Sequence, residues 1–139
     1  MTVTAVWPID SPDAPNGGDG VTLTDPSEVS GLLSRLAEPG AGVATVWHEH
    51  REPADEETGM LDHDVCVAVR DGYGYLSYID VEHDLAVPRG DPDSPALAGE
   101  DVEFPAGSGV ELGALAEALS EFLRTGQRPE SVDWNTVEE

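Results

Sequence analysis

The chain has 139 residues, and its 6 basic residues, all arginine, stand against 29 acidic ones for a net charge of −23. DNA, RNA and anionic lipid need a cationic footprint, so this surface excludes them as direct partners and favours encounter with a cationic protein. The length is that of one domain, 1–139, large enough for a self-sufficient core; solubility alone is the plainer reading of the charge.

Thr2 to Trp7 alternates and is rich in β-branched residues, which predicts a strand. No basic segment followed by an apolar run marks a signal peptide here. No apolar run approaches the roughly 20 residues that span a bilayer, so a cytoplasmic protein is expected. Pro8 to Gly20 is dense in Pro, Asp, Asn and Gly and reads as a loop, followed by a short strand from Val21 to Thr24. Asp25, Pro26 and Glu28 form a helix start: Asp25 caps free amides, Pro26 fits the first turn and Glu28 completes a capping box. Val29, Leu32, Leu33 and Leu36 then share one helical face, and Pro39-Gly40 ends the helix.

Val43 to His50 predicts a strand with Ala44 and Val46 opposed to Thr45 and Trp47. From Glu49 to Asp64 the acids Glu49, Glu52, Asp55, Glu56, Glu57, Asp62 and Asp64 predict a solvated connection. Val65 to Arg70 is apolar on both faces, as a central strand is. Cys66 lies within it, reads as a small buried residue, and as the sole cysteine fits a reducing compartment. Asp71-Gly72 is a hairpin dipeptide, and Tyr73 to Ile79 is the antiparallel partner strand. Asp80 to Asp101 is a second acidic connection, long for a compact domain, and so a place to expect function or disorder.

Val102 to Phe104 alternates as a short strand. Leu112, Leu115, Ala116, Leu119, Phe122 and Leu123 then recur at i, i+3, i+4, i+7, which predicts an amphipathic helix from about Glu111 to Thr125. Arg124 suits the last turn, Gly126 a left-handed C-terminal residue, and Pro129 lies just beyond. Val132 to Trp134 predicts a closing strand. The fold class is α+β: a mainly antiparallel β-sheet with two α-helices on one face.

Several of these pieces, in order, carry a resemblance. Met1 to Trp7, Gly74 to Tyr78, Glu103-Phe-Pro-Ala-Gly107, Glu121-Phe-Leu-Arg-Thr-Gly126, Arg128-Pro129 and Val132-Asp-Trp134 resemble the Imm-one family of immunity proteins. That family belongs to bacterial polymorphic toxin systems and is common in actinobacteria. The resemblance implies a cytoplasmic protein that binds and neutralises a cognate toxin, often a nucleic-acid deaminase. It implies no catalytic residues, and no cofactor is expected.

Other residues suggest other chemistry. His48 and His50, two apart on a strand, could share a Zn²⁺ with His63 or His83, but no third ligand stands at a diagnostic spacing. The plainer reading is two polar residues beside an acidic run. Asn16 to Gly20 and Gly107 to Gly109 lack the Lys-Ser/Thr ending of a phosphate loop, and Ser77 and Ser108 are in no nucleophile elbow. With many carboxylates, some close pair is expected by chance, and none adjoins a nucleophile.

Three classes of function remain: an inhibitor of a cationic toxin, an acidic binding or scaffold module for another basic protein, and a small metal-dependent enzyme. The first is favoured. A deaminase needs a cationic cleft for its substrate's phosphates, and carboxylates at matching positions would occupy it. The expected toxin-binding residues are Trp47 and Tyr78 as apolar anchors, with Glu56, Glu57, Asp62, Asp80, Glu82 and Asp84 as charged contacts.

Overall fold

The computed structural model describes residues 2–9, 17–38, 40–49, 63–80, 83–98 and 103–136. In chain order the elements are β1 (Val3–Pro8), β2 (Gly18–Leu23), a 3₁₀ turn (Pro26–Glu28) running into α1 (Val29–Leu36), β3 (Ala44–His48), β4 (His63–Arg70) and β5 (Tyr73–Asp80). Then come β6 (Ala86–Pro88), β7 (Leu97–Ala98), β8 (Glu103–Phe104), β9 (Val110–Glu111), α2 (Leu112–Thr125) and β10 (Trp134–Thr136).

The main sheet has the order β10-β6-β5-β4-β3-β1-β2, with β9 also pairing β5, and its pairs are antiparallel. The α+β class with a mainly antiparallel sheet and two helices is therefore observed. The β4–β5 hairpin is its longest pairing. Asp71 and Gly72 turn it with φ of 54° and 83°, the left-handed pair that a two-residue hairpin of this twist needs.

Both helices cover one face. Val29, Leu32, Leu33 and Leu36 of α1 and Leu115, Ala118, Leu119, Phe122 and Leu123 of α2 join one core with Ala5, Val46, Val67, Leu76 and Tyr78 of the sheet. The capping box forms as read: Asp25 accepts from the Ser27 amide, and Glu28 accepts from the Asp25 amide. Gly126 ends α2 in the left-handed conformation, its N–H donating to the Phe122 carbonyl at 2.8 Å. The α2 stripe is rotated slightly from the reading: Leu112 is 38% exposed and Ala116 half-buried, while Ala118 is buried. Leu112 opens the first turn directly after β9, at the rim of the sheet, whereas Ala118 sits between the fully packed Leu115 and Phe122 turns.

Other boundaries moved for reasons of pairing. Gly18 to Gly20 belongs to β2 rather than a loop, because Pro8, Trp7 and Val6 pair Gly18, Asp19 and Gly20 in register. Asp19 is accommodated there by an ion pair with Arg35. Asp64 lies inside β4, which begins at His63 opposite Asp80. The second acidic stretch contains β6 and β7. Glu103–Phe104 pairs Leu97–Ala98 in a separate two-stranded sheet instead of joining the main one. Phe104 and Leu97 thereby cover Tyr75, Ala68 and Val87 on the sheet's second face. The last strand starts at Trp134, not Val132, since its ladder is Trp134↔Pro88 to Thr136↔Ala86.

Candidate functional site

β3 ends, β4 begins and β5 ends at the same end of the sheet. The two acidic stretches therefore depart from neighbouring points, Glu49, His63 and Asp80. Their anchors are held by a polar cluster that period-2 alternation places on the helix-covered side. His63 accepts the His48 backbone N–H on Nε2 at 2.9 Å. The His48 Nε2 donates to the Leu123 carbonyl, one of the last-turn acceptors of α2, at 3.0 Å. Phe122 presents T-shaped contacts to His48, His63 and Tyr78, with centroids 5.6, 5.9 and 6.1 Å away.

Beside this cluster the Asp80 side chain is 1% exposed and fully engaged. The Tyr78 hydroxyl donates to it at 2.7 Å, and the His83 Nδ1 bonds its other oxygen at 2.8 Å. Backbone bonds run in both directions between Asp80 and His83. His83 also lines a shallow groove with Gln127, Arg128, Pro129, Glu130 and Trp134. There Arg128 stacks over the Trp134 ring at 5.5 Å, and the Trp134 indole N–H donates to the Pro129 carbonyl.

On the opposite face Trp47 lies half-buried. Its indole N–H donates to Glu49 Oε1 at 2.8 Å, and the Thr4 hydroxyl donates to the same oxygen at 2.6 Å. Among the described residues no group of three or more His, Cys, Asp or Glu side chains is placed to hold a metal ion. His48 spends its Nε2 proton on Leu123, and His50 lies outside the described residues. What the arrangement offers is a hydrogen-bonded sheet end at which both acid-rich stretches of the sequence join the sheet.

The sequence profile of the immunity protein Imm1 family matches residues 17–136. The chain belongs to the Imm1 family.

The Imm1 match runs from the start of β2 to the end of β10. It takes in the C-terminal pieces that carry the resemblance and leaves out Met1 to Trp7. A search of curated proteins found no match. No helix among the described residues is long and apolar enough to cross a membrane.

The expected contact residues of this Imm1 family member divide. Trp47 is on the sheet face away from the helices, and Asp84 is exposed. Tyr78 is 0% exposed, so its ring is a core contact and not a surface anchor. Asp80 turns its carboxylate inward to Tyr78 and His83, so it is a structural acid and not a free surface charge. The two share the alternation that puts Gly74 and Leu76 beneath α2. Glu56, Glu57, Asp62 and Glu82 lie outside the described residues. Sequence reasoning missed the buried roles of His48 and His63. The signal was there: His48 alternates with Val46 and Ala44, and His63 with Val65 and Val67.

Proposed function

We propose that this Imm1 family member is a cytoplasmic immunity protein that binds and neutralises a cognate cationic toxin domain. The toxin in this reading is a nucleic-acid deaminase acting on cytosine, silenced by occlusion of its substrate cleft. The observation that carries the reading is the family match over residues 17–136. The charge supports it: at −23 the chain repels the toxin's nucleic-acid substrate and attracts a protein surface built to hold phosphates. The described ends of the acid-rich sequences, Glu49, His63 and Asp80, lie at one end of the sheet, which favours that end as the meeting point.

The test is direct. The chain is mixed with the basic toxin domain encoded beside it, and association is followed as salt is raised. Tight binding, loss of deamination and an on-rate that falls steeply with salt are expected. Neutralising Glu56, Glu57, Asp62, Glu82 and Asp84 to Gln or Asn should slow association, with Asp80 kept because its carboxylate is a buried bonding partner. Failure to bind that toxin would remove the immunity reading. Binding without loss of deamination would remove cleft occlusion.

A further inference from the structure

The sheet face turned away from the helices is closed at one end and open at the other. Phe104 and Leu97 close the part over Tyr75 and Ala68. On β1, β2 and β3 the described residues leave it open. The register sets two rows there: Thr22, Thr4 and Trp47 are cross-strand neighbours in one, and Gly20, Val6, Thr45 and Cys66 in the next. Thr22 and Thr45 are exposed, and Val6 is 42% exposed, an unusual value for a branched apolar side chain in a strand with neighbours on both sides. Gly20 contributes to this opening. A Cβ there would stand 3.1 Å from Val6 Cγ1, so glycine leaves the valine's flank uncovered.

The rim of the patch is acidic and ordered. Glu49 is fixed by both Trp47 and Thr4, and Asp64 is exposed on β4 next to Cys66, whose thiol bonds it at 3.8 Å. The two rows carry no basic residue. In sequence Glu49 leads straight into the acid-rich run that follows β3.

We infer that this open half of the sheet, centred on Val6, Thr45 and Trp47, is the docking surface for the basic toxin domain; the inference rests on the immunity reading above. An interface needs a desolvated apolar centre with a polar rim, and acids alone do not supply the centre. Val6 and Trp47 supply it on rigid strands, where little conformational freedom is lost on binding. Glu49, already locked to two donors, offers its carboxylate to a cation with its geometry preset. The charge selects the occupant. A second copy would bring two chains of −23 face to face, whereas a basic domain meets complementary charge.

The experiment uses the full chain and the basic toxin domain encoded beside it, with affinity measured by calorimetry. Val6→Arg and Thr45→Arg each place a cation in the patch. Leu112→Arg makes the same charge change at the other exposed large apolar residue among the described residues, on α2 across the sheet. Circular dichroism and thermal melting establish that each variant is folded. Thr45→Arg, at an exposed threonine, keeps the test valid if Val6→Arg perturbs the strand. The patch variants are expected to weaken binding at least about 30-fold, the loss of an interface centre. Leu112→Arg should change it by less than about threefold. Folded patch variants that bind as tightly as the wild type overturn the inference while leaving the immunity reading intact. A dimer in light scattering that Val6→Arg dissolves also overturns it, by giving the face to self-association. A wild-type chain that does not bind the toxin removes the immunity reading and the inference together.

Discussion

His63 reaches over the end of the β3–β4 ladder and accepts the backbone N–H of His48 at 2.9 Å. The strand pairing itself stops at Val46↔Val65, so a side chain takes over where backbone pairing ends. Both histidines are buried, and a buried amide without an acceptor is costly. His63→Leu should therefore destabilise the protein by about 1–3 kcal/mol in urea denaturation. His63→Gln, which retains an acceptor, should lose less. Equal stability of wild type and the Leu variant would show that the bond is dispensable.

Gly74 sits on β5 directly beneath α2. A Cβ at that position would come within 2.5 Å of Leu115 Cδ2 and 2.8 Å of Leu115 Cβ. Gly74→Ala should push the helix off the sheet and cost about 1–3 kcal/mol. In the Leu115→Ala background the extra cost should shrink but not vanish, because Cδ2 and Cγ are gone while the Cβ at 2.8 Å remains. A double-mutant cycle that finds no coupling would argue against this close approach.

Leu119 is 4% exposed in the centre of the α2 stripe. Leu119→Ala should cost about 2–5 kcal/mol, the range for a cavity under a helix that cannot collapse. Leu112→Ala, at the exposed end of the same helix, should be close to neutral. Chemical denaturation of both variants checks the contrast.

The capping box makes a specific claim about acid. Backbone donation from Ser27 holds the Asp25 carboxyl below its ordinary 3.8, and that from Thr24 holds Glu28 below its ordinary 4.5. Each group thus binds its proton more readily in the unfolded chain. The stabilisation is complete above those ordinary values and is lost as pH falls through the lower folded ones. Melting temperatures of wild type and Asp25→Ala should differ at about pH 6, and the gap should close as pH falls below the ordinary 3.8. A gap that stays constant would show that the carboxylate charge is not what the cap uses.

Long periodic elements were legible from the sequence. The α2 stripe, the Asp71-Gly72 hairpin and the Asp25/Glu28 start each combine several independent cues, and each formed. Of the short strands, β8 was legible from the alternation at Val102 to Phe104 and β10 only in part from Val132 to Trp134, while β6, β7 and β9 were not, because two or three residues carry no measurable period. Their existence depends on which backbone edge lies beside them. The candidate site divided for a related reason. β5 is apolar on both faces, so alternation alone does not say which face the helices cover. Tyr78 and Asp80 lie on the covered one, and Asp80 is tolerated there because a hydroxyl and an imidazole satisfy its oxygens. Trp47 was placed correctly away from the core because Val46 beside it is unambiguously apolar.

The position of α2 late in the chain also matters while the protein is being made. The β4–β5 hairpin can close once Asp80 has emerged, but its apolar face, with Val67 and Leu76, waits for a helix that ends at Thr125. At ordinary synthesis rates that wait is roughly 2–9 s. During it a nascent sheet shows bare hydrocarbon, and the residues synthesised between hairpin and helix, rich in Asp and Glu, add like charge beside it.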